Sequence, residues 1–248
     1  MKQVMLVTGS SRGIGAATAL LASRRGYAVC INYLGNVAAA ERLRAQIAAE
    51  GGAAIAVQAD VAVEADVLRL FATIDAQLGP LTALVNNVGV LEQQGKLVDM
   101  SAERLQRVVT TNILSYLLCS REAIKRMATS LGGHGGGIVN VGSGASKHGA
   151  GNVYVDYAST KGAIDVMTLG LSKEVGPDGI RVNCVRPGII HTDIHASGGD
   201  PDRVNKLAST VPLQRGGQPE EIAETILWLL GPQSSYVSGA LLDAGGAR

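Results

Sequence analysis

Short apolar segments alternate with long helical patterns along the whole chain. The short, β-branched segments are 4–8, 27–32, 54–58, 81–86, 137–141, 180–185 and 240–243. The helical patterns between them cover 16–25, 36–50, 64–78, 101–130, 153–175 and 219–230. Nearly continuous apolar strands that alternate with helices are typical of parallel sheets covered on both faces. We therefore predict an α/β fold with one doubly wound parallel sheet of about seven strands, in a single domain over residues 1–248.

Residues that cap and end helices support these boundaries. Asn36 can cap the helix that follows it, and Gly51 can end that helix. In the last helical pattern, Pro219 lies in the first turn and Gly231 follows the last turn. The glycine cluster at 132–137 is predicted to be a surface loop.

The composition excludes several classes of protein. Hydrophobic residues make up 46% of the chain and charged residues 17%, which argues against disorder. A net charge of +1 argues against a nucleic-acid surface, and no apolar run reaches transmembrane length. The N-terminal segment becomes glycine-rich too early for a signal peptide. We expect a cytoplasmic protein that binds neither nucleic acid nor membrane, with Cys30, Cys119 and Cys184 as buried small hydrophobes.

The turn Thr8-Gly9-Ser10-Ser11-Arg12-Gly13-Ile14-Gly15 follows the first strand directly and opens the first helix. Glycines let the backbone approach a pyrophosphate, and a helix N-terminus supplies free N–H groups and positive potential. A glycine-rich turn alone is a weak signal, but its place between a strand and a helix strengthens it. The turn predicts a dinucleotide-binding site.

The segment 154–165 contains two tyrosines and one lysine. Tyr157 and Lys161 are four residues apart, so they share one face of a helix, whereas Tyr154 lies two turns from Lys161. A phenol has a pKa of about 10, and a neighbouring cation lowers it. This spacing favours Tyr157 as a reactive tyrosine. The alternative is a surface helix on which the two side chains meet by chance.

The chain contains five spaced motifs: the glycine-rich turn at 8–15, Asn86-Asn87-Val88-Gly89, Ser143, Tyr157 with Lys161, and Pro187-Gly188. In this order they resemble the motifs of the short-chain dehydrogenase/reductase family. The match runs from residue 8 to the Asp243-Ala-Gly-Gly246 ending. The resemblance implies a Rossmann-type domain, an NAD(P) cofactor, a small-molecule carbonyl or alcohol substrate, and a homodimer or homotetramer.

The resemblance also implies the catalytic roles. Tyr157 would be the general acid or base, and Ser143 would hydrogen-bond the reacting oxygen. Lys161 would lower the pKa of Tyr157 and hold the nicotinamide ribose. Asn112 would hold a water that links Lys161 to solvent. A positioned proton donor offsets the charge that hydride transfer develops on oxygen.

A further set of residues is expected to bind the cofactor. It comprises Gly9, Ser11, Arg12, Ile14, Gly15, Asn32, Asp60, Val61, Asn87, Gly89, Tyr157, Lys161, Pro187, Gly188, Ile190 and Thr192. Within it, Thr192 would contact the nicotinamide carboxamide, and Asp60 with Val61 would bracket the adenine. The alternative for Asp60 is a turn residue of the N-cap kind.

The residues after the second strand indicate which cofactor is used. NAD-preferring Rossmann domains place an acid there to bind the ribose 2′-hydroxyl. Here the strand ends Ile31-Asn32-Tyr33-Leu34, without an acid, and Arg12 lies in the glycine-rich turn. Arginine can pair with a 2′-phosphate through two hydrogen bonds. We predict NADP(H); the alternative is that Arg12 is only a solvated loop residue.

Several positions depart from the family pattern. Val88 adds bulk close to the expected cofactor, and Ser143 follows Gly142 where the family commonly has a second serine. Ser143 and Tyr157 are fourteen residues apart, so an extra residue is expected to loop out at 147–153. Tyr154 is interpreted as pocket wall or packing.

The segment 189–210 is expected to form a substrate lid. It contains His191 and His195, which are four residues apart. They could face the substrate or be solvated. No third ligand is evident, so no metal site is predicted.

The predicted function is NADP(H)-dependent interconversion of a carbonyl and a secondary alcohol. An epimerase or dehydratase that retains its nicotinamide, and a dinucleotide-binding regulatory protein without turnover, are the alternatives. The expected pocket segments 90–97, 144–154 and 189–210 mix apolar, polar and glycine positions. A sugar or polyol, a β-ketoacyl group and a small xenobiotic ketone all remain candidate substrates.

Overall fold

A seven-stranded sheet forms the centre of the structure, a computed structural model that describes residues 3–247. The strands are β1 (Gln3–Val7), β2 (Tyr27–Tyr33), β3 (Ala54–Gln58), β4 (Ala83–Asn86), β5 (Gly136–Val141), β6 (Ile180–Pro187) and β7 (Leu241–Ala244). Their order is β3-β2-β1-β4-β5-β6-β7, and each neighbouring pair is parallel. The predicted fold class is confirmed. In such a sheet, ligands bind beyond the carboxyl ends of the strands where the order reverses, here between β1 and β4.

Helices connect the strands and cover both faces of the sheet. They are α1 (Gly13–Arg24), α2 (Val37–Ala49), α3 (Glu64–Gln77), α4 (Ala102–Val109), α5 (Ser115–Met127), α6 (Ala145–His148), α7 (Val155–Glu174), α8 (Ile194–Ser197), α9 (Arg203–Leu207) and α10 (Pro219–Leu230). A π-helical turn, Thr110–Leu114, joins α4 to α5, so the predicted helix at 101–130 is interrupted where Asn112 lies.

The hydrophobic core has one layer on each face of the sheet. On one face, Leu6 and Leu84 pack with Phe71 of α3 and Met127 of α5. On the other face, buried residues of the same strands pack against α1, α2 and α10. Because both faces are covered, the strands are apolar on both sides, which explains their nearly continuous hydrophobic sequence.

Local predictions at helix ends are confirmed, whereas one loop prediction is wrong in part. The Asn36 side chain accepts a hydrogen bond from the Ala39 N–H at 3.1 Å and caps α2. The glycine cluster at 132–137 is not simply a surface loop, because Gly135 and Gly137 are buried. A Cβ on Gly135 would lie 2.6 Å from the Gly179 carbonyl oxygen, so this glycine allows two backbone segments to touch.

The three cysteines are free and buried, as predicted. Burial raises the pKa of the Cys119 and Cys184 thiols to about 12, so they are not reactive thiolates. Within residues 3–247, none of the helices has the length and apolar character that a bilayer-spanning segment needs.

Candidate active site

A cavity of about 610 Å³ opens at the carboxyl ends of the strands, where the strand order reverses between β1 and β4. Most of the predicted site residues line it, including Ser143, Tyr157, Lys161 and Arg12. Two predicted residues do not line it. These are Gly15 and Asn112.

Gly15 supports the glycine-rich turn from behind. A Cβ on this residue would lie 2.6 Å from Asn87 Nδ2 and 2.9 Å from the Gly9 carbonyl oxygen. Gly9 and Gly13 have positive φ angles, +60° and +56°, which glycine adopts without strain. Among the described residues, no side chain caps the N-terminus of α1, and Gly13 and Ile14 of its first turn line the cavity. An uncapped helix start behind a glycine turn suits a phosphate group.

Two asparagines that were expected to contact the cofactor also hold this turn in place. Asn32 Oδ1 accepts a hydrogen bond from the Gly9 N–H at 3.1 Å, and Asn32 Nδ2 donates to the Ala59 carbonyl at 3.0 Å. Asn87 Nδ2 donates to the carbonyls of Thr8 at 2.9 Å and Gly9 at 3.1 Å. Their side-chain amides are therefore engaged by the protein, although both residues line the cavity.

Asp60 and Val88 also serve the local structure. Asp60 Oδ1 accepts a hydrogen bond from the Ala62 N–H at 2.9 Å, so the carboxylate closes the turn after β3 while the residue lines the cavity. The Val88 side chain lies 2.9 Å from the position of a Cβ on Gly9. The extra bulk of Val88 is therefore accommodated by a glycine.

Tyr157 and Lys161 lie one turn apart on α7, as their spacing predicts. Lys161 Nζ donates hydrogen bonds to the Val141 carbonyl at 2.8 Å and to the Tyr116 hydroxyl at 3.2 Å. It lies 5.7 Å from the centroid of the Tyr157 ring. The ammonium group is thus directed to the end of β5 rather than hydrogen-bonded to the Tyr157 phenol.

The pKa values of both groups are dominated by burial. Burial raises the pKa of the Tyr157 phenol, and the neighbouring Ser143 hydroxyl opposes that rise. Burial also lowers the pKa of Lys161 from 10.5 to about 8. In this state desolvation of the phenolate sets the direction of the shift, and the lowering of the Tyr157 pKa by Lys161 stays a prediction.

Asn112 lies in the π-helical turn and is fully buried. Its Oδ1 accepts a hydrogen bond from the Val90 N–H at 2.8 Å, and its Nδ2 donates to the Val90 carbonyl at 3.1 Å and to Thr160 Oγ1 at 3.2 Å. These bonds tie the turn to the segment beside Gly89 and to α7. A Cβ atom added to Gly89 would lie 3.8 Å from Asn112 Oδ1 and 3.7 Å from Lys161 Nζ.

Tyr116 is a site residue that the sequence reasoning missed. Its hydroxyl donates to the Val141 carbonyl at 2.9 Å and accepts from Lys161 Nζ. Burial raises the pKa of this phenol well above 10, so it stays neutral. The available signal was its position four residues after Asn112, on the same helical face, but its apolar neighbours suggested a core residue.

The predicted lid, 189–210, contains α8 and α9, and several of its residues line the cavity. Thr192 Cγ2 lies 3.3 Å from the Cβ position of Gly13, so the lid touches the glycine-rich turn. Arg12 and Asp193 form an exposed ion pair with an N–O distance of 3.7 Å. The extra residue expected at 147–153 lies in a turn where Gly149, Ala150 and Asn152 have positive φ angles.

The two lid histidines differ in environment. His191 is exposed, as one alternative proposed, whereas His195 is buried and lines the cavity. His195 Nε2 lies 3.0 Å from the Ile190 carbonyl oxygen. Because a carbonyl only accepts, Nε2 carries the hydrogen in this contact. Across residues 3–247, no cluster of three or more His, Cys, Asp or Glu side chains could hold a metal ion.

Comparison with known proteins supports the interpretation of this fold. A family model described as Enoyl-(Acyl carrier protein) reductase matches residues 9–246. The chain is 53% identical over 245 residues to a protein of Escherichia coli (strain K12) named "Uncharacterized oxidoreductase YgfF", and 99% of each chain is covered.

Solved structures are also similar to this chain over nearly its whole length. A blue fluorescent protein from a metagenomic library, in complex with NADPH, is 32% identical with a TM-score of 0.90, covering 99% of this chain and 97% of its own. The 3-ketoacyl-(acyl-carrier-protein) reductase of Brucella melitensis, complexed with NADH, is 30% identical with a TM-score of 0.92, covering 99% and 98%.

The chain belongs to the short-chain dehydrogenase/reductase family. It is an NAD(P)-dependent oxidoreductase that acts on alcohol or carbonyl groups.

Proposed function

We propose that the protein is an NADP(H)-dependent carbonyl reductase in which Tyr157 is the general acid. The observation that carries this proposal is the convergence of Ser143, Tyr157, Lys161 and the glycine-rich turn on one cavity of about 610 Å³. A regulatory protein without turnover would not need all three polar side chains in the same cavity.

The cavity fits a nicotinamide dinucleotide. The uncapped start of α1 and the turn glycines suit its phosphates. Asp60 and Val61, which follow β3, line the same cavity. Thr192 of the lid touches Gly13 of the glycine-rich turn, Ile190 and Gly188 line the same cavity, and these residues would complete the binding site. When bound, the dinucleotide supplies or accepts the hydride.

The protein residues would supply the proton and position the reacting oxygen. A phenol is protonated near neutral pH, and burial raises the pKa of Tyr157 further, so Tyr157 carries the proton that a carbonyl oxygen would receive. The Ser143 hydroxyl would hold that oxygen beside the phenol. Lys161, whose pKa is about 8, remains largely charged at neutral pH and would hold the nicotinamide ribose while favouring the phenolate that proton donation leaves.

The preference for NADP(H) rests on charge at the ribose end of the cavity. The segment 32–36 that follows β2 contains no acid, and Tyr33, Leu34 and Asn36 line the cavity there. Arg12 is exposed, and its only ion-pair partner within residues 3–247 is Asp193 at 3.7 Å. An exposed pair of this kind contributes about 1 kcal/mol or less, so the guanidinium is available to a 2′-phosphate.

The experiment that tests this function is NADPH oxidation against a panel of ketones, keto sugars and acyl thioesters. We expect turnover of at least one class and tighter binding of NADPH than of NADH. Tighter binding of NADH would contradict the cofactor assignment. NADPH binding without turnover of any class would favour the regulatory alternative.

We also propose that the protein forms a homodimer or homotetramer through α4, α5 and α7. Large apolar side chains are exposed on these helices and the turn between them. They are Val109, Leu114, Leu117, Val166 and Leu169. Exposed apolar residues grouped on neighbouring helices mark protein interfaces. Light scattering at micromolar concentration should report a dimer or tetramer, and a monomer would contradict the proposal.

A further inference from the structure

The part of the cavity beyond Tyr157 is walled by the start of α7 and by the lid. Tyr154, which precedes α7, and Leu91, His195 and Arg203 line this part. The Tyr154 hydroxyl donates to the Gly198 carbonyl at 2.9 Å, which fixes the ring against the lid. This substrate end of the cavity contains a cation that the site described above leaves without a role.

Arg203, the first residue of α9, is that cation. Its guanidinium carbon lies 5.3 Å from the centroid of the Tyr154 ring, which is a cation–π distance. The ring therefore holds the guanidinium at the cavity wall. Within residues 3–247, Arg203 has no ion pair, and the two acids nearest in sequence are engaged elsewhere. Asp200 pairs with Lys206 at 2.6 Å, and Asp202 accepts a hydrogen bond from Asn205 at 2.7 Å.

The charge of Arg203 acts on the cavity wall. Burial raises the pKa of the Tyr154 phenol, and Arg203 opposes that rise. Burial lowers the pKa of His195, and Arg203 is among the groups that lower it further. His195 is thus neutral near pH 7 and does not compete with Arg203 for an anion.

The carboxylates that line the cavity are engaged by groups other than Arg203. The cavity lining includes two, Asp60 and Asp193. Asp60 closes the turn after β3, and Asp193 pairs with Arg12. In the described part of the chain, no acid that lines the cavity pairs with Arg203. Asp200, whose charge acts on Tyr154 and His195, is itself paired with Lys206. Arginine binds carboxylate and phosphate through two parallel hydrogen bonds, which makes such groups its preferred ligands.

We propose that Arg203 binds an oxyanion, carboxylate or phosphate, carried by the carbonyl substrate. This inference rests on the proposed function and adds the substrate class to it. Tyr154 immediately precedes α7, Tyr157 lies in the first turn of α7, and both side chains line the same cavity. The anionic group therefore lies close to the reacting carbonyl, and the substrate is a small keto acid or keto phosphate.

The test uses pairs of carbonyl compounds that differ in the anion. Acetoacetate is compared with methyl acetoacetate, and dihydroxyacetone phosphate with dihydroxyacetone, in NADPH oxidation by the full-length enzyme. We expect kcat/KM to be at least about tenfold higher for one anionic member than for its neutral partner. The pair that shows this preference tells whether carboxylate or phosphate is bound.

Substitutions assign the preference to Arg203. Arg203→Gln should raise KM for the anionic member about 10- to 100-fold, the loss of a charged hydrogen-bonding partner, and change the neutral member less than about twofold. Arg203→Lys should restore part of the preference. Arg42→Gln, at an exposed arginine of α2, is the matched control and should change neither. Calorimetric binding of acetoacetate and of dihydroxyacetone phosphate to the enzyme–NADP⁺ complex gives a readout that does not depend on turnover.

The outcomes separate this inference from the proposed function. Equal use of anionic and neutral members, or an equal loss for both in Arg203→Gln, overturns the role of Arg203 and leaves the reductase assignment intact. If no compound is turned over, calorimetry gives the answer. The role of Arg203 is also overturned if neither anion binds, or if Arg203→Gln leaves anion binding unchanged. Failure to bind NADPH at all contradicts the proposed function itself.

Discussion

Lys161 should reduce the stability of the fold that contains it, so Lys161→Met should stabilise the protein while removing its activity. Lys161 is 3% exposed, and burial lowers the pKa of its ammonium from 10.5 to about 8. Each pKa unit corresponds to about 1.4 kcal/mol. The charged lysine therefore costs roughly 3 kcal/mol near pH 7.

The substitution leaves the neighbouring polar groups satisfied. The Val141 carbonyl still accepts the hydrogen bond from the Tyr116 hydroxyl at 2.9 Å. Methionine is apolar and flexible, so it can fill the space of the lysine chain. After allowing for the two hydrogen bonds that Lys161 loses, we expect a gain of about 1–3 kcal/mol in the free energy of unfolding at about pH 7.

The sign of the pH dependence follows from the same pKa. Below about pH 8 the lysine is charged in both the folded and unfolded states, and the full cost applies. Between about pH 8 and 10.5 the unfolded chain holds more protons than the folded one, so raising the pH stabilises the wild type. The advantage of Lys161→Met should therefore shrink by about 2 kcal/mol between pH 7 and about 9.5.

Urea unfolding at fixed protein concentration measures this advantage at both pH values. Lys173→Met, at an exposed lysine of the same helix, is the matched control and should change stability little. A loss of more than about 1 kcal/mol in Lys161→Met, or an advantage that does not depend on pH, would refute the reasoning.

Three further substitutions test other parts of the site. Arg12→Ala should weaken NADPH binding about 10- to 100-fold and NADH binding less than about twofold, as measured by fluorescence titration; equal losses would contradict the 2′-phosphate contact. Tyr116→Phe removes an acceptor from the Lys161 ammonium and should lower the pKa of Lys161 below about 8. NADPH affinity, which depends on the charged lysine, should then fall at a lower pH than in the wild type; an unchanged pH profile would exclude a role for the Tyr116 hydroxyl. Gly15→Ala should cost about 1–3 kcal/mol of stability and weaken NADPH binding, because its Cβ would meet Asn87 at 2.6 Å. Gly162→Ala, where a Cβ meets nothing within 4 Å in the described part of the chain, should stabilise α7, and a similar loss in both would contradict the packing argument.

The fold could be predicted because the sequence patterns that determine its helices and strands are local. Apolar runs, the Asn36 cap and Pro219 mark the elements, and a parallel sheet brings the carboxyl ends of its strands to one edge. Residues as distant as Gly9 and Tyr157 were therefore expected in one cavity, where the structure has them.

The details that depend on tertiary register could not be predicted. Tyr116 and Lys161 are 45 residues apart, and their hydrogen bond depends on how α5 lies against α7. The same register directs Lys161 to the Val141 carbonyl and away from the Tyr157 phenol. Arg203 reaches Tyr154 only because the lid turns back over α7.

The measurement that tests the central claim most directly is turnover by Tyr157→Phe, compared with its affinity for NADPH. The account predicts a loss of about hundredfold or more in turnover, because the proton donor is gone, with NADPH affinity nearly unchanged since the ring still packs. Tyr154→Phe, which loses the hydrogen bond to Gly198 and keeps the ring, is the matched control and should alter KM at most. If Tyr157→Phe keeps more than about a tenth of wild-type turnover, Tyr157 is not the general acid.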